Sequence, residues 1–168
     1  MRRILVIGGS GGGKSTLARA LGVKLDLPVI HLDQHWWKPG WVASDREDFR
    51  RRVAALVTGD RWIIDGNYSN TVDLRMPRAD TIVWVDQPRR ICLWRALRRA
   101  VTQWGKVRPD LVPGCPEKFD LEFARYIWNF KKKNNPVIHA NIATHGAHAR
   151  LARLRSDREI ATFLAEAV

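Results

Sequence analysis

Apolar residues fall in short unbroken runs, and the segments between them carry a helical period. Ile4-Leu5-Val6-Ile7 leads directly into glycines, and a continuous apolar run of this length predicts a strand buried on both faces of a parallel sheet. Residues 14–24 predict a helix with Leu17, Ala18, Leu21 and Leu25 on one face. Residues 28–32 read as a second strand ending at Asp33, residues 62–65 as a third, and residues 81–86 as a fourth, closed by Pro88. Ser44 with Glu47 three positions later reads as a capping box that opens a helix to about Val57.

Arg75 falls on a short helix, and a basic helix covers residues 88–104. Residues 105–116 are rich in Gly and Pro and predict a loop or flap. Residues 119–132 and 136–144 predict two further helices, the second ending near Gly146. Residues 150–155 form a weak last strand, and Ser156 with Glu159 repeats the capping box before a terminal helix. Strands alternating with helices predict an α/β fold around a parallel sheet.

Composition narrows this reading without changing it. A chain of 168 residues with 45% hydrophobic content can bury one real core, and it shows no repeat, low-complexity tract or long linker, so residues 1–168 are expected to form one domain. No apolar run approaches the length of a membrane span, and the first run is too short for a signal peptide. Cys92 and Cys115 lack the spacing of a metal or redox pair, which suits a cytoplasmic location. The five histidines show no metal-ligand spacing.

A net charge of +12 has two readings, nucleic-acid binding or a site for a polyanionic nucleotide in an arginine-rich chain. The basic residues spread from Arg2 to Arg158, with local clusters at 89–99 and 131–133. No zinc finger, helix-turn-helix or RNA-binding motif accompanies them.

Gly8-Gly9-Ser10-Gly11-Gly12-Gly13-Lys14-Ser15 matches the phosphate-loop pattern G-x-x-x-x-G-K-[ST]. Glycines let successive backbone N–H groups converge on phosphate oxygens, and the following helix adds the partial positive charge of its N-terminus. Lys14 would reach the β- and γ-phosphates of ATP, and the Ser15 hydroxyl would ligate Mg²⁺, with Thr16 a weaker candidate. The motif also sits where the mechanism needs it, between a strand and a helix.

Ligand sites in an open parallel sheet form beyond the carboxyl ends of its strands. Three predicted strands end in Asp. Asp65 is the first choice for holding Mg²⁺, directly or through water. Asp33 would accept a proton from a substrate hydroxyl or join the metal shell, and Asp86 ranks lower because Asp-x-Pro also serves to leave a strand. The tract Asp65-Gly66-Asn67-Tyr68 places a tight turn and two hydrogen-bonding side chains at a strand exit. Arg90, Arg95, Arg98 and Arg99 crowd one helix and Arg108 lies in the flap, so one or two of them suit a lid that stabilises a transferring phosphoryl group. Trp36, Trp37 and Trp41 either stack on an aromatic or sugar-like acceptor or pack under a loop.

Together these motifs resemble a known group. The phosphate loop, Leu32-Asp33 with Trp37-x-Pro39-Gly40-Trp41, Trp62 to Tyr68, and Arg78-Ala79-Asp80 through Asp86-x-Pro88-Arg89 look like the adenylate-kinase-related DNA topology modulation proteins. Arg108-Pro109, Pro113 to Glu117 and Leu154-Arg155-Ser156 continue the match over almost the whole chain. The resemblance implies the nucleoside-monophosphate-kinase type of P-loop fold, a five-stranded parallel sheet ordered 2-3-1-4-5, with a helical lid over residues 88–135. It also implies that Gly8 to Thr16 hold phosphates, that Asp65-Gly66 corresponds to the Asp-Gly of adenylate kinases, that Arg95 and Arg99 are lid arginines, and that Arg155 lies near the base. The chain departs at Asn134-Asn135-Pro136, where a basic residue is expected, and at Asn67-Tyr68, which replaces the Phe and Pro-Arg of the adenylate-kinase acceptor motif and weighs against AMP.

The expectation is an ATP- and Mg²⁺-dependent small-molecule kinase in which Lys14, Asp33, Asp65, Arg95 and Arg99 act on the reacting groups. A nucleotide-regulated DNA-binding protein and a bare NTPase are the alternatives.

Overall fold

The computed structural model describes residues 1–117 and 119–168. Its centre is a five-stranded parallel sheet of β1 (Arg3–Gly8), β2 (Val29–His31), β5 (Trp62–Asp65), β6 (Thr81–Val85) and β7 (Arg150–Leu154). The spatial order is β2-β5-β1-β6-β7, which is the expected 2-3-1-4-5 when these five are counted along the chain. The unbroken apolar runs are the innermost strands: Ile4, Val6, Ile63, Ile64, Ile82 and Val83 have no exposed surface. The weakest pattern, at residues 150–155, belongs to the edge strand β7, whose first two residues are exposed.

Each face of the sheet carries a layer of helices. On one face, α1 (Lys14–Leu25) and α7 (Asp157–Glu166) bury Leu17, Leu21 and Phe163 against Ile4, Val6, Ile63 and Val85. On the other, α3 (Arg46–Leu56), α4 (Val72–Arg75) and α6 (Leu121–His145) bury Phe49, Val53, Val72, Ile138 and Ile142 against Leu5, Ile7, Ile64 and Trp84. The outlying helix α5 (Arg89–Thr102) packs Cys92 and Ala96 against Ile127 of α6.

Three local expectations change. Residues 119–132 and 136–144 are one continuous helix, α6, with Pro136 inside it. Proline removes one helical hydrogen bond, but Ile127 and Phe130 before it and Ile138 and Ile142 after it are all buried, so tertiary packing carries the helix through. The cap of α3 is Asp45, not Ser44: its carboxylate accepts from the N–H groups of Glu47 and Asp48, whereas Ser44 turns back to the His35 carbonyl. Trp37–Lys38 and Val42–Ala43 form an antiparallel hairpin, β3 and β4, across Pro39-Gly40, which the sequence reading left out. The second capping box holds as expected, with Glu159 N–H donating to Ser156 Oγ at 3.2 Å. The expected lid, residues 88–135, comprises α5, the connecting segment and the first half of α6; Lys118 lies outside the described residues.

Candidate functional site

The glycine-rich loop between β1 and α1 is built by exclusion of side chains. Gly8 has φ +142°, and a Cβ there would lie 2.1 Å from the Val85 carbonyl oxygen; at Gly11, φ +78°, it would lie 2.2 Å from that of Cys92. Only glycine lets the loop pass this close to β6 and α5. Asn67 pins the start of the loop from the other side. Its Oδ1 accepts from Gly8 N–H at 2.9 Å and its Nδ2 donates to Gly8 C=O at 2.6 Å. Lys14 Nζ reaches back over the loop to the Gly9 carbonyl at 3.1 Å. The helix that follows starts without a side-chain cap, and its first residues Lys14, Ser15 and Thr16 line the same space.

That space is a cavity of about 920 Å³ at the carboxyl ends of the strands. Lys14, Ser15, Asp65, Asp33, Trp36 and Tyr68 all line it. Asp65 is buried at the end of β5; its Oδ2 meets His31 Nδ1 at 2.9 Å, while its Oδ1 has no hydrogen-bond partner among the described residues. Burial alone would raise the Asp65 pKa, but the His31 bond, the Lys14 charge and the neighbouring Ser15 hydroxyl together hold it below the usual carboxylate range. Asp33, on the short helix α2 (Leu32–Trp36), receives a hydrogen bond from Tyr68 O–H at 2.6 Å. Burial raises the Asp33 pKa, with the charge of Asp65 adding to it and the Tyr68 bond opposing it.

The two arginines expected in the lid, Arg95 and Arg99, differ. Arg95 stands beside the loop, its guanidinium 3.8 Å from where a Gly13 Cβ would be, and pairs with the exposed Asp157 at 2.5 Å. Arg99 pairs with the buried Glu117 at 2.7 Å. Both line the cavity. Arg155 does not: it is exposed beyond β7, where its backbone N–H donates to Glu159. Asp86 is also outside, held between Lys131 and Arg153 at 2.9 and 2.6 Å. Asn135, at one of the positions where a basic residue was expected, donates to Asp86, and Asn134 faces the cavity.

The tryptophans are partly structural. Trp36 packs edge-on against Phe49 and tilted against Tyr68, and Trp37 packs edge-on against Trp41, yet all three still line the cavity. The hairpin that carries Trp37 and Trp41 is docked on the segment after α5. Gly40 N–H donates to Gly114 C=O at 2.8 Å, Trp41 Nε1–H to Pro116 C=O at 3.0 Å, and Gln34 to Pro109 C=O at 2.8 Å.

Arg75, which the sequence placed only on a short helix, is fully buried. It donates to Thr71 Oγ1 and to the Gly66, Asn67 and Tyr68 carbonyls at 2.5–3.1 Å, holding the turn after β5 in shape. Burial lowers its pKa to about 10. No local sequence signal separates such an arginine from one that meets a ligand.

Comparison with solved structures fits this geometry. The chain has the P-loop kinase fold. It aligns with shikimate kinase from Acinetobacter baumannii, solved in complex with shikimate, at TM-score 0.62 and 14% identity, covering 99% of this chain and 90% of that one. It aligns with shikimate kinase from Bacteroides thetaiotaomicron at TM-score 0.58 and 18% identity, covering 98% and 94%. No family model and no curated protein sequence matches, so the likeness to the DNA topology modulation proteins rests on its motifs alone. Among the described residues no helix is long and apolar enough to cross a membrane.

Proposed function

We propose that the protein is an ATP- and Mg²⁺-dependent kinase of a small hydroxyl-bearing molecule. One observation carries this reading: a single cavity is lined by the glycine loop, Lys14 and Ser15 and by two carboxylates, Asp65 and Asp33. The loop N–H groups and Lys14 would hold the nucleotide phosphates, and Arg95 would join them at low cost, because Asp157 is exposed and solvent can replace the pair.

The residues present fit Mg²⁺. Asp65 offers a buried carboxylate oxygen without a partner among the described residues, and the Ser15 hydroxyl lies beside it. Among the described residues no group of three or more His, Cys, Asp or Glu could form a protein-only cage. A cation bound by one or two protein oxygens, with water and phosphate completing its shell, is the ordinary Mg²⁺ arrangement. Bound there, it would neutralise charge on the transferring group. His31 orients Asp65 through Oδ2 and leaves Oδ1 free to face the cation.

On the acceptor side, Asp33 is a carboxylate whose pKa burial has raised, which makes it a better proton acceptor for a hydroxyl than an ordinary Asp. Tyr68 fixes its orientation by donating to one oxygen and leaves the other for the acceptor. Docking of the 37–43 hairpin on the segment after α5 would exclude water while transfer occurs. The test is transfer of labelled γ-phosphate from ATP, with Mg²⁺, to nucleosides, sugars, polyols and nucleoside monophosphates, beside a water-only blank. A labelled product supports the kinase; phosphate release at the same rate in every well identifies a bare NTPase.

A further inference from the structure

The cations that line the cavity divide unevenly, and the division narrows the acceptor. Lys14, Arg19, Arg95, Arg99 and Arg108 line it. Arg19 pairs with Asp110 at 3.5 Å, Arg99 with Glu117 at 2.7 Å, and Arg108 with both Asp110 and Glu117 at 2.8 and 2.9 Å. Asp110 and Glu117 are only 3% and 4% exposed. Drawing these arginines onto a ligand would strand two buried carboxylates, so they are committed to holding the segment after α5 in place. Lys14 and the releasable Arg95 stand at the glycine loop, on the nucleotide side.

The half of the cavity around Asp33 has a different character. Tyr68 donates to Asp33 and Trp36 packs on Tyr68, and the cavity is further lined by Val72, Met76, Val137 and Ile138, with Ser69, Asn134 and Asn141 supplying uncharged polar groups. Asp33 is an anion here, and the two cations whose charge reaches it are Lys14, which bends over the glycine loop, and Arg108, which is paired with Asp110 and Glu117. Arg75 lies behind the wall with no exposed surface, its guanidinium spent on backbone carbonyls and Thr71.

We infer that the acceptor is an uncharged, hydroxyl-bearing ring compound, a sugar or a nucleoside, and that this site disfavours acceptors carrying a phosphate or carboxylate. The inference rests on the kinase reading above. An anionic group placed here would lose its water, face the Asp33 carboxylate, and find the nearby cations engaged, Lys14 at the glycine loop and Arg108 with Asp110 and Glu117. A neutral ring instead offers an apolar face to Trp36 and the neighbouring tryptophans, hydroxyls to the asparagines, and one hydroxyl to Asp33.

The test uses matched pairs that differ only in the anionic group: adenosine and AMP, thymidine and its monophosphate, glucose and glucose 6-phosphate, and a cyclic hydroxy acid and its methyl ester. Transfer from ATP and calorimetric binding in the presence of a non-hydrolysable ATP analogue are both measured. The neutral member of the productive pair is expected to exceed its anionic partner at least tenfold in kcat/KM and in affinity. Which pair responds separates sugar from nucleoside. Val137→Arg, at a half-exposed position on α6, should narrow the gap tenfold by supplying the missing cation. Preference for the anionic member, or an unchanged gap in Val137→Arg, overturns the inference and leaves the kinase standing. ADP formation with no member of any pair phosphorylated or bound overturns both.

Discussion

At the residue scale several of the side chains that shape the site hold backbone groups. Asn67 is the clearest case, since both ends of its amide close on Gly8. Asn67→Ala leaves the Gly8 N–H and C=O without that clamp, and a loss of about 1–3 kcal/mol in stability, read by urea titration, is expected together with weaker ATP binding. Asp33 predicts an opposite trade. Its folded pKa is raised above the unfolded value, so the native state binds this proton more tightly and loses stability as pH climbs through that window. Asn in its place still accepts from Tyr68 and removes the titration. Asp33→Asn should therefore melt higher than wild type at pH 7, melt with it at pH 3.5, and lose phosphoryl transfer. Equal melting at both pH values would show that Asp33 is not strained by burial. Lys14, Ser15 and Asp65 could be named from the sequence because a motif and a strand end announce them. The burial of Arg75 and the commitment of Arg99 to Glu117 could not, because both depend on segments distant in sequence that the fold brings together.

At the element scale the strands were the most legible part, because a strand covered on both faces is apolar throughout, and the short length, β-branched content and flanking Gly or Pro of Ile4 to Ile7 and Thr81 to Val85 favour a strand over a buried helix. The break expected at Pro136 failed because local propensity costs less than the burial of Ile138 and Ile142 returns. The docked hairpin was missed since two-residue strands carry no period, although Pro39-Gly40 marks its turn. The docking makes a prediction. Gly114 sits at φ +84°, and a Cβ there would come within 2.9 Å of Pro39 Cβ. Gly114→Ala should cost on the order of 1–3 kcal/mol locally and speed hydrogen exchange of residues 37–43 and 105–117, with a raised KM for the acceptor. Exchange unchanged in both segments would mean that they do not move as a unit.

At the scale of the whole molecule, the sheet order and the two helical layers put the glycine loop at the central strand β1, with Asp33 and the tryptophans toward β2 and Arg95 toward β6. Strand order 2-3-1-4-5 was available beforehand through the family resemblance, while the gathering of Lys14, Asp33 and Asp65 around one cavity follows from the fold. The charge of +12 is not concentrated in the cavity, where most arginines are already paired; Arg89 lies over the Trp128 ring at 4.1 Å and Arg98 over Trp94 at 5.4 Å, neither of which lines the cavity. The account therefore stands on the loop, and the measurement that reaches it most directly is ATP turnover by Lys14→Ala beside wild type, with Mg²⁺ present and the fold of each checked by circular dichroism. Lys14 contacts only the Gly9 carbonyl in the described hydrogen bonds, so the variant should fold as wild type does. Turnover lost by a factor of 10³ or more in a folded variant is what phosphate binding at this loop predicts, in line with the scale of a transition-state cation. Turnover equal to wild type would contradict it.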